Sequence, residues 1–181
     1  MSLDRSSLWN GEYLDIKTYL DYKYEMIMPR RHPACIIPFY TSGNTINVIV
    51  RKEWCPPYFE TWGEGSLTYT LITGGIEDGE EPQAAAFREM YEEAGITSND
   101  YEIIKSIHVP VWKNTTDAVS MYLVKLNSFS AEVPKGDGSE NEARSKSLHI
   151  PFHEYHNIIF RNDPHDFLFL FGYHLISNIS K

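Results

Sequence analysis

The chain has 181 residues, 42% apolar and 23% charged, enough for one domain with a buried core. Acidic residues outnumber basic ones, 25 to 16, and the net charge of −9 argues against broad nucleic-acid binding through a basic surface. No apolar run is long enough to span a membrane and the first ten residues hold no signal-peptide core, so a cytoplasmic location is expected.

Residues 12–28, rich in Tyr and partly alternating, predict two short strands, ended by Pro29 and Pro33 around a basic Arg30-Arg31-His32. Residues 34–40 and 45–54 predict strands joined by the turn Thr41-Ser42-Gly43-Asn44. Cys35 and Cys55 are expected to be reduced, buried thiols with no disulfide or zinc role. Residues 55–65 read as a loop punctuated by Pro and Gly, and 66–72 as a strand running into Gly74.

Pro82–Ala94 predicts a helix, with Pro in its first turn, three alanines inside and Gly95 as its stop. Strands follow at 101–109 and 118–126, then a polar loop over 134–146 and a short strand at 147–152. A last helix is expected from about Asp163, with Pro164 in its first turn.

The Pro82–Ala94 helix carries the chemistry. At about 100° per residue, Glu89, Glu92 and Glu93 share one face, and Ala84, Phe87, Tyr91 and Ala94 the opposite, core-facing one. Carboxylates spaced i, i+3 and i+4 repel unless a positive charge sits among them, and Arg88 is the one base between Glu80 and Ile96. Hard divalent cations take oxygen ligands of this kind. A solvated acidic helix face is the alternative on these residues alone.

The surrounding pattern is G-x5-E-x7-R-E-U-x-E-E-x-G-U. It is met by Gly74, Glu80, Arg88, Glu89, Met90, Glu92, Glu93, Gly95 and Ile96. This is the Nudix box, and the chain resembles the Nudix hydrolase family. The resemblance implies an α/β fold, an α/β/α sandwich with a mixed β-sheet, here with extra N-terminal strands. It implies hydrolysis of a nucleoside diphosphate linked to another moiety, with Mg²⁺ or Mn²⁺. By motif position Glu89, Glu92 and Glu93 look like metal ligands, with a carbonyl from the Gly75 region. Glu92 and Glu93 also look catalytic. Arg88 and Glu80 look like an internal brace, with Gly74 and Gly95 structural. Glu81 departs from the Ser or Thr often found at the helix cap, but suits the helix dipole.

Outside the box, residues 24–40 and 47–57 resemble the strands that precede it in ADP-ribose and other nucleoside-diphosphate-sugar pyrophosphatases. Arg51 then stands as a substrate or phosphate contact, or else as a surface residue at a strand end. Pro110 lies fifteen residues past Gly95, one short of the register common in that subgroup. A general base in that subgroup often sits on a late loop, where Asp137, Glu140 and Glu142 lie here. Glu140 or Glu142 would activate the water, unless the loop is simply solvated. Trp112 could stack on a base or pack at the rim.

The expected organisation is an N-terminal strand region, residues 1–31, as a possible dimer element, and a Nudix domain over residues 32–181. The expected partners are a small-molecule nucleotide and a second copy of the chain, with no nucleic acid and no membrane. Two alternatives stay open: hydrolysis of another nucleotide, such as a dinucleotide or nucleoside triphosphate, and a non-catalytic nucleotide-binding module.

Overall fold

A computed structural model describes residues 7–11, 14–19, 24–111, 115–135 and 144–179. Strands β1 (Ser7–Asn10), β2 (Leu14–Tyr19) and β3 (Tyr24–Pro29) form a small antiparallel sheet in that order. It meets the rest of the chain at Ile27, whose carbonyl accepts hydrogen bonds from the Thr116 N–H and the Thr115 hydroxyl, both at 3.0 Å.

The main sheet contains β4 (Pro33–Ser42), β5 (Thr45–Trp54), β6 (Leu67–Thr70), β7 (Ile72–Gly75), β8 (Ile96–Pro110), β9 (Ala118–Ala131) and β10 (Lys146–Pro151). The order is β10-β5-β4-β9-β8, with β6 pairing β5 and β7 pairing β4. Only the β4–β9 pair is parallel among these pairings, so the sheet is mixed.

β4 and β5 are central, and their near-continuous apolar runs follow from burial on both faces. Side chains alternate: Cys35, Ile37, Phe39, Val48 and Val50 face one core, and Ala34, Ile36 and Ile49 the other. On one edge β4 pairs with β7 through Ile36 and then with β5 from Phe39. Pro38, which has no N–H to satisfy, lies in the gap between these two partners.

Helix α2 (Pro82–Ala94) covers one face; α3 (Phe152–Phe160) and α4 (Phe167–Ser177) cover the other, giving the α/β/α sandwich. A short helical turn, α1 (Phe59–Trp62), lies within the expected loop at 55–65 and ends at Gly63. Both cysteines are free, and Cys55 is half-buried rather than buried.

Two expectations are corrected here. The single C-terminal helix is two, and α3 occupies residues that, beyond Phe152 at the end of the expected short strand, carried no predicted element. It begins without a side-chain cap and ends at Arg161 rather than glycine, so its boundary signals are absent. α4 starts after Asp166, not Asp163. Tyr69 holds the intervening backbone extended, donating to the Pro164 carbonyl at 2.8 Å and accepting from the Asp166 N–H at 3.1 Å. Asp166 then caps the helix by accepting from the Phe169 N–H at 2.8 Å.

Candidate active site

β7 delivers the chain into a loop that turns at Gly79, where φ is +80°, before α2 begins at Pro82. The helix has the expected bounds. It ends at Gly95 in the left-handed region, φ +66°, where an added Cβ would overlap the Glu132 carbonyl. Glu81 precedes the helix with no side-chain capping bond.

The phase of α2 differs from the expected one. Its buried residues are Ala85, Ala86, Met90 and Ala94, while Ala84 is exposed and Phe87 and Tyr91 are half-buried. The inward face therefore includes the edge that carries Glu89 and Glu93, whose side chains are 13% and 11% exposed. Glu92, at 40%, faces solvent.

The Glu89 carboxylate lies against Gly74, in space that any Cβ there would fill. Arg88 organises the rest. Its Nε and Nη2 donate to the two Glu80 oxygens, both at 3.0 Å, and Nη2 also donates to the Gly75 carbonyl at 3.0 Å. Nη1 sits between Glu89, at 2.6 Å, and Glu92, at 2.8 Å. Glu80 closes the loop by accepting from the Glu77 N–H at 3.0 Å. The guanidinium holds the Glu80 carboxyl below its ordinary range. Burial raises Glu89 above it despite Arg88.

Glu93 lies deeper. One oxygen accepts from the Thr73 N–H at 3.3 Å and lies 3.7 Å from Arg51 Nε. Desolvation, only partly offset by Arg51, pushes the Glu93 carboxyl up to about 8. Arg51 is 3% exposed, so the surface alternative for it is corrected. Its Nη1 donates to the Glu93 carbonyl at 2.8 Å, tying β5 to the end of α2, and its Nε donates to Glu53 at 3.2 Å. Arg51, Glu53, Cys55 and Glu93 line a cleft of about 290 Å³, beside which the Arg144 guanidinium stacks 4.4 Å over Trp54, another lining residue.

The sequence-based site residues thus fall into two groups. Gly74, Gly75, Glu80, Glu89 and Glu92 are brought together around Arg88, while the Glu93 carboxyl turns to Thr73 and Arg51 instead, and Gly95 ends the helix. Trp112, Asp137, Glu140 and Glu142 lie outside the described residues.

A second cavity of about 180 Å³, not anticipated from the sequence, adjoins this cleft and shares Glu53 and Cys55 with it. It is lined also by Tyr58, Thr68, Thr70, Thr73 and Asp166. The signal was present in β6, where Thr68 and Thr70 occupy the inward positions and Leu67 and Tyr69 the half-buried ones.

Among the described residues no three His, Cys, Asp or Glu side chains converge as a metal site. Glu89 and Glu92 nonetheless already share one positive centre, Arg88 Nη1. The donors around that guanidinium, Glu89, Glu92 and the Gly75 carbonyl, are all oxygen. That donor chemistry fits a hard divalent cation.

Residues 30–171 match the family model described as NUDIX domain, well over half of the chain. The chain belongs to the Nudix family. Shorter matches run to proteins named RNA pyrophosphohydrolase. That of Aliivibrio fischeri (strain MJ11) is 48% identical over 42 residues, 23% of this chain and 25% of that protein. That of Vibrio vulnificus (strain YJ016) is 50% identical over 42 residues, 23% and 24% of the two chains. That of Mannheimia succiniciproducens is 46% identical over 57 residues, 32% and 28%. The chain thus spans about a quarter of the length of the curated relatives it matches. None of these three bears the name of an ADP-ribose or nucleoside-diphosphate-sugar pyrophosphatase, the Nudix subgroup that the upstream strands resemble.

Proposed function

We propose that this Nudix protein is a divalent-cation-dependent pyrophosphohydrolase of a nucleoside diphosphate linked to a sugar, ADP-ribose or a close relative. Water's oxygen bonds to one phosphorus, the bridging P–O bond breaks, and a nucleoside monophosphate and a sugar phosphate leave. The observation that carries this reading is the convergence of Glu89 and Glu92 on one cationic nitrogen beside the Gly74–Gly75 backbone.

Glu89, Glu92, Glu93 and the Gly75 carbonyl would hold the cation, Mg²⁺ or Mn²⁺. When bound, it supplies charge neutralisation to the diphosphate and acidifies a water. The chain's residues do the rest. The Glu80–Arg88 pair keeps the glycine loop fixed to α2. Gly74 leaves room for Glu89. Arg51 anchors the C-terminal end of α2 through the Glu93 carbonyl and places a positive charge beside the Glu93 carboxylate. Burial holds the Glu93 carboxyl up to about 8, so near neutral pH it would have to give up a proton to take a cation. Glu140 or Glu142 remains the proposed group for activating the water. The strand region over residues 1–31 remains the proposed dimer element.

A second reading comes from the names of the relatives: the substrate is the 5′ phosphorylated end of an RNA. The net charge of −9 weighs against a long RNA footprint. A hydrolysis panel separates the two, with ADP-ribose, other sugar nucleotides, a dinucleoside polyphosphate, nucleoside triphosphates and a 5′-triphosphorylated oligoribonucleotide, each with Mg²⁺ or Mn²⁺. The proposal expects monophosphate release from the sugar nucleotides at the highest kcat/KM. Preferential cleavage of the triphosphates or of the RNA end discards the sugar assignment. Tight ADP-ribose binding with no turnover of anything favours a binding module.

A further inference from the structure

We infer that the face of Trp54 covered by Arg144 is the stacking platform for the substrate's nucleobase. This rests on the nucleotide part of the reading above, and it assigns an end of the substrate that the Nudix box does not.

β5 ends its pairing with β6 at Trp54, opposite Leu67. A large aromatic ordinarily packs into a core, but Trp54 is half-buried and belongs to neither hydrophobic core. Phe59 braces the indole edge-on, with ring centroids 5.6 Å apart. The guanidinium of Arg144, a planar cation, lies over the ring at 4.4 Å from its centroid. Arg144 is exposed, and an exposed cation–π contact is weak enough for a larger planar group to replace it. The π face of Trp54 is therefore held in place and open to exchange, with a planar group already on it.

The cleft around Trp54 has two unlike ends. Arg51 and Glu93 line one part, where the diphosphate and its cation would sit under the proposed activity. Trp54, Pro56 and Pro57 line the rest, and the prolines form an apolar wall that presents no N–H. A nucleotide has the same division, a charged phosphate end and a flat base. Of the two ends of a sugar nucleotide, the base is the one with a π face to set against the indole. Size agrees: about 290 Å³ is the room of about ten waters at about 30 Å³ each, enough for a bicyclic base. Stacking of this kind tolerates any base, so the platform orients the nucleotide without choosing among bases.

The test is an NMR titration of the full chain, ¹⁵N-labelled at its tryptophan indoles, with AMP and in parallel with ribose 5-phosphate, both at saturating Mg²⁺. Trp54→Phe identifies the Trp54 indole resonance by its loss. AMP should shift that resonance and ribose 5-phosphate should not. Trp54→Leu should bind AMP roughly 5- to 150-fold more weakly, the worth of one base–aromatic stack, with its affinity for ribose 5-phosphate unchanged. Trp54→Phe should retain most of the AMP affinity, which separates a lost stack from a lost fold. A Trp54 resonance that ignores AMP or answers both ligands equally, or an unchanged AMP affinity in a folded Trp54→Leu, would overturn the assignment. ADP-ribose hydrolysis is assayed in parallel. An AMP-specific shift at Trp54 without hydrolysis of any nucleotide would sink the proposed activity and leave the platform standing. ADP-ribose hydrolysis without that shift would do the reverse.

Discussion

The Glu89 carboxylate occupies the volume beside Gly74 that a side chain on residue 74 would need. Gly74 is not among the glycines with positive φ, so alanine there is tolerated by the backbone and acts only by displacing Glu89. Gly74→Ala is expected to keep its fold and to lose about 10- to 100-fold in kcat/KM, with a rise in the divalent-cation concentration needed for half activity. A cation titration of the rate for both proteins checks this.

Glu80 accepts two bonds from Arg88 and one from the Glu77 N–H. Glu80→Gln replaces the charge-assisted pair with neutral bonds and is expected to cost about 1–2 kcal/mol, read from urea unfolding. Because the wild-type Glu80 carboxyl is held low, its stabilisation is present above its ordinary range and is lost as pH falls through the lowered value. The difference between the two proteins should therefore vanish in strong acid.

Gly95→Ala combines a left-handed backbone with an overlap on the Glu132 carbonyl, which lies on the chain leaving β9. A loss of roughly 2–4 kcal/mol is expected, measured by the same unfolding curves.

Stability should depend on pH in an unusual direction. Glu93 is raised to about 8, so the folded chain holds this proton more tightly than the unfolded chain does. Stability from this group is full below about 4.5 and declines as pH rises to about 8. Glu89 and Asp166, also raised by burial, act in the same sense. His149, lowered by burial, acts against them, its contribution growing as pH rises. In a chelator the melting temperature should fall between pH 5 and 8, and Glu93→Gln should flatten that slope. Saturating Mg²⁺ should flatten it too, by replacing the proton.

How much of this was legible in the sequence follows the range of each interaction. α2 was readable to the residue, because Pro82 and Gly95 act locally. The brace between Glu80 and Arg88 spans eight positions and was readable as part of the motif. The phase of α2 was not. Ala84 and Ala85 are alike in sequence, and only packing on β4 and β7 decides which one is buried. The start of α4 was misplaced because Asp163 and Asp166 offer the same capping chemistry, and distant Tyr69 chooses between them. Arg51 was read either as a substrate contact or as a surface residue; its burial depends on Glu93, 42 positions away. The threonine cavity joins β6 to Asp166 across 96 positions from Thr70. Only the odd polar alternation of β6 hinted at it.

The central claim is that the box carboxylates serve hydrolysis of a diphosphate, and Glu93→Gln tests it most directly. The variant is isosteric, and its melting temperature in a chelator at pH 7 should lie at or above the wild-type value. With saturating Mg²⁺ and ADP-ribose, wild type should release AMP and ribose 5-phosphate, and Glu93→Gln should fall by at least about 100-fold. A folded Glu93→Gln protein that turns over ADP-ribose at the wild-type rate would contradict the account.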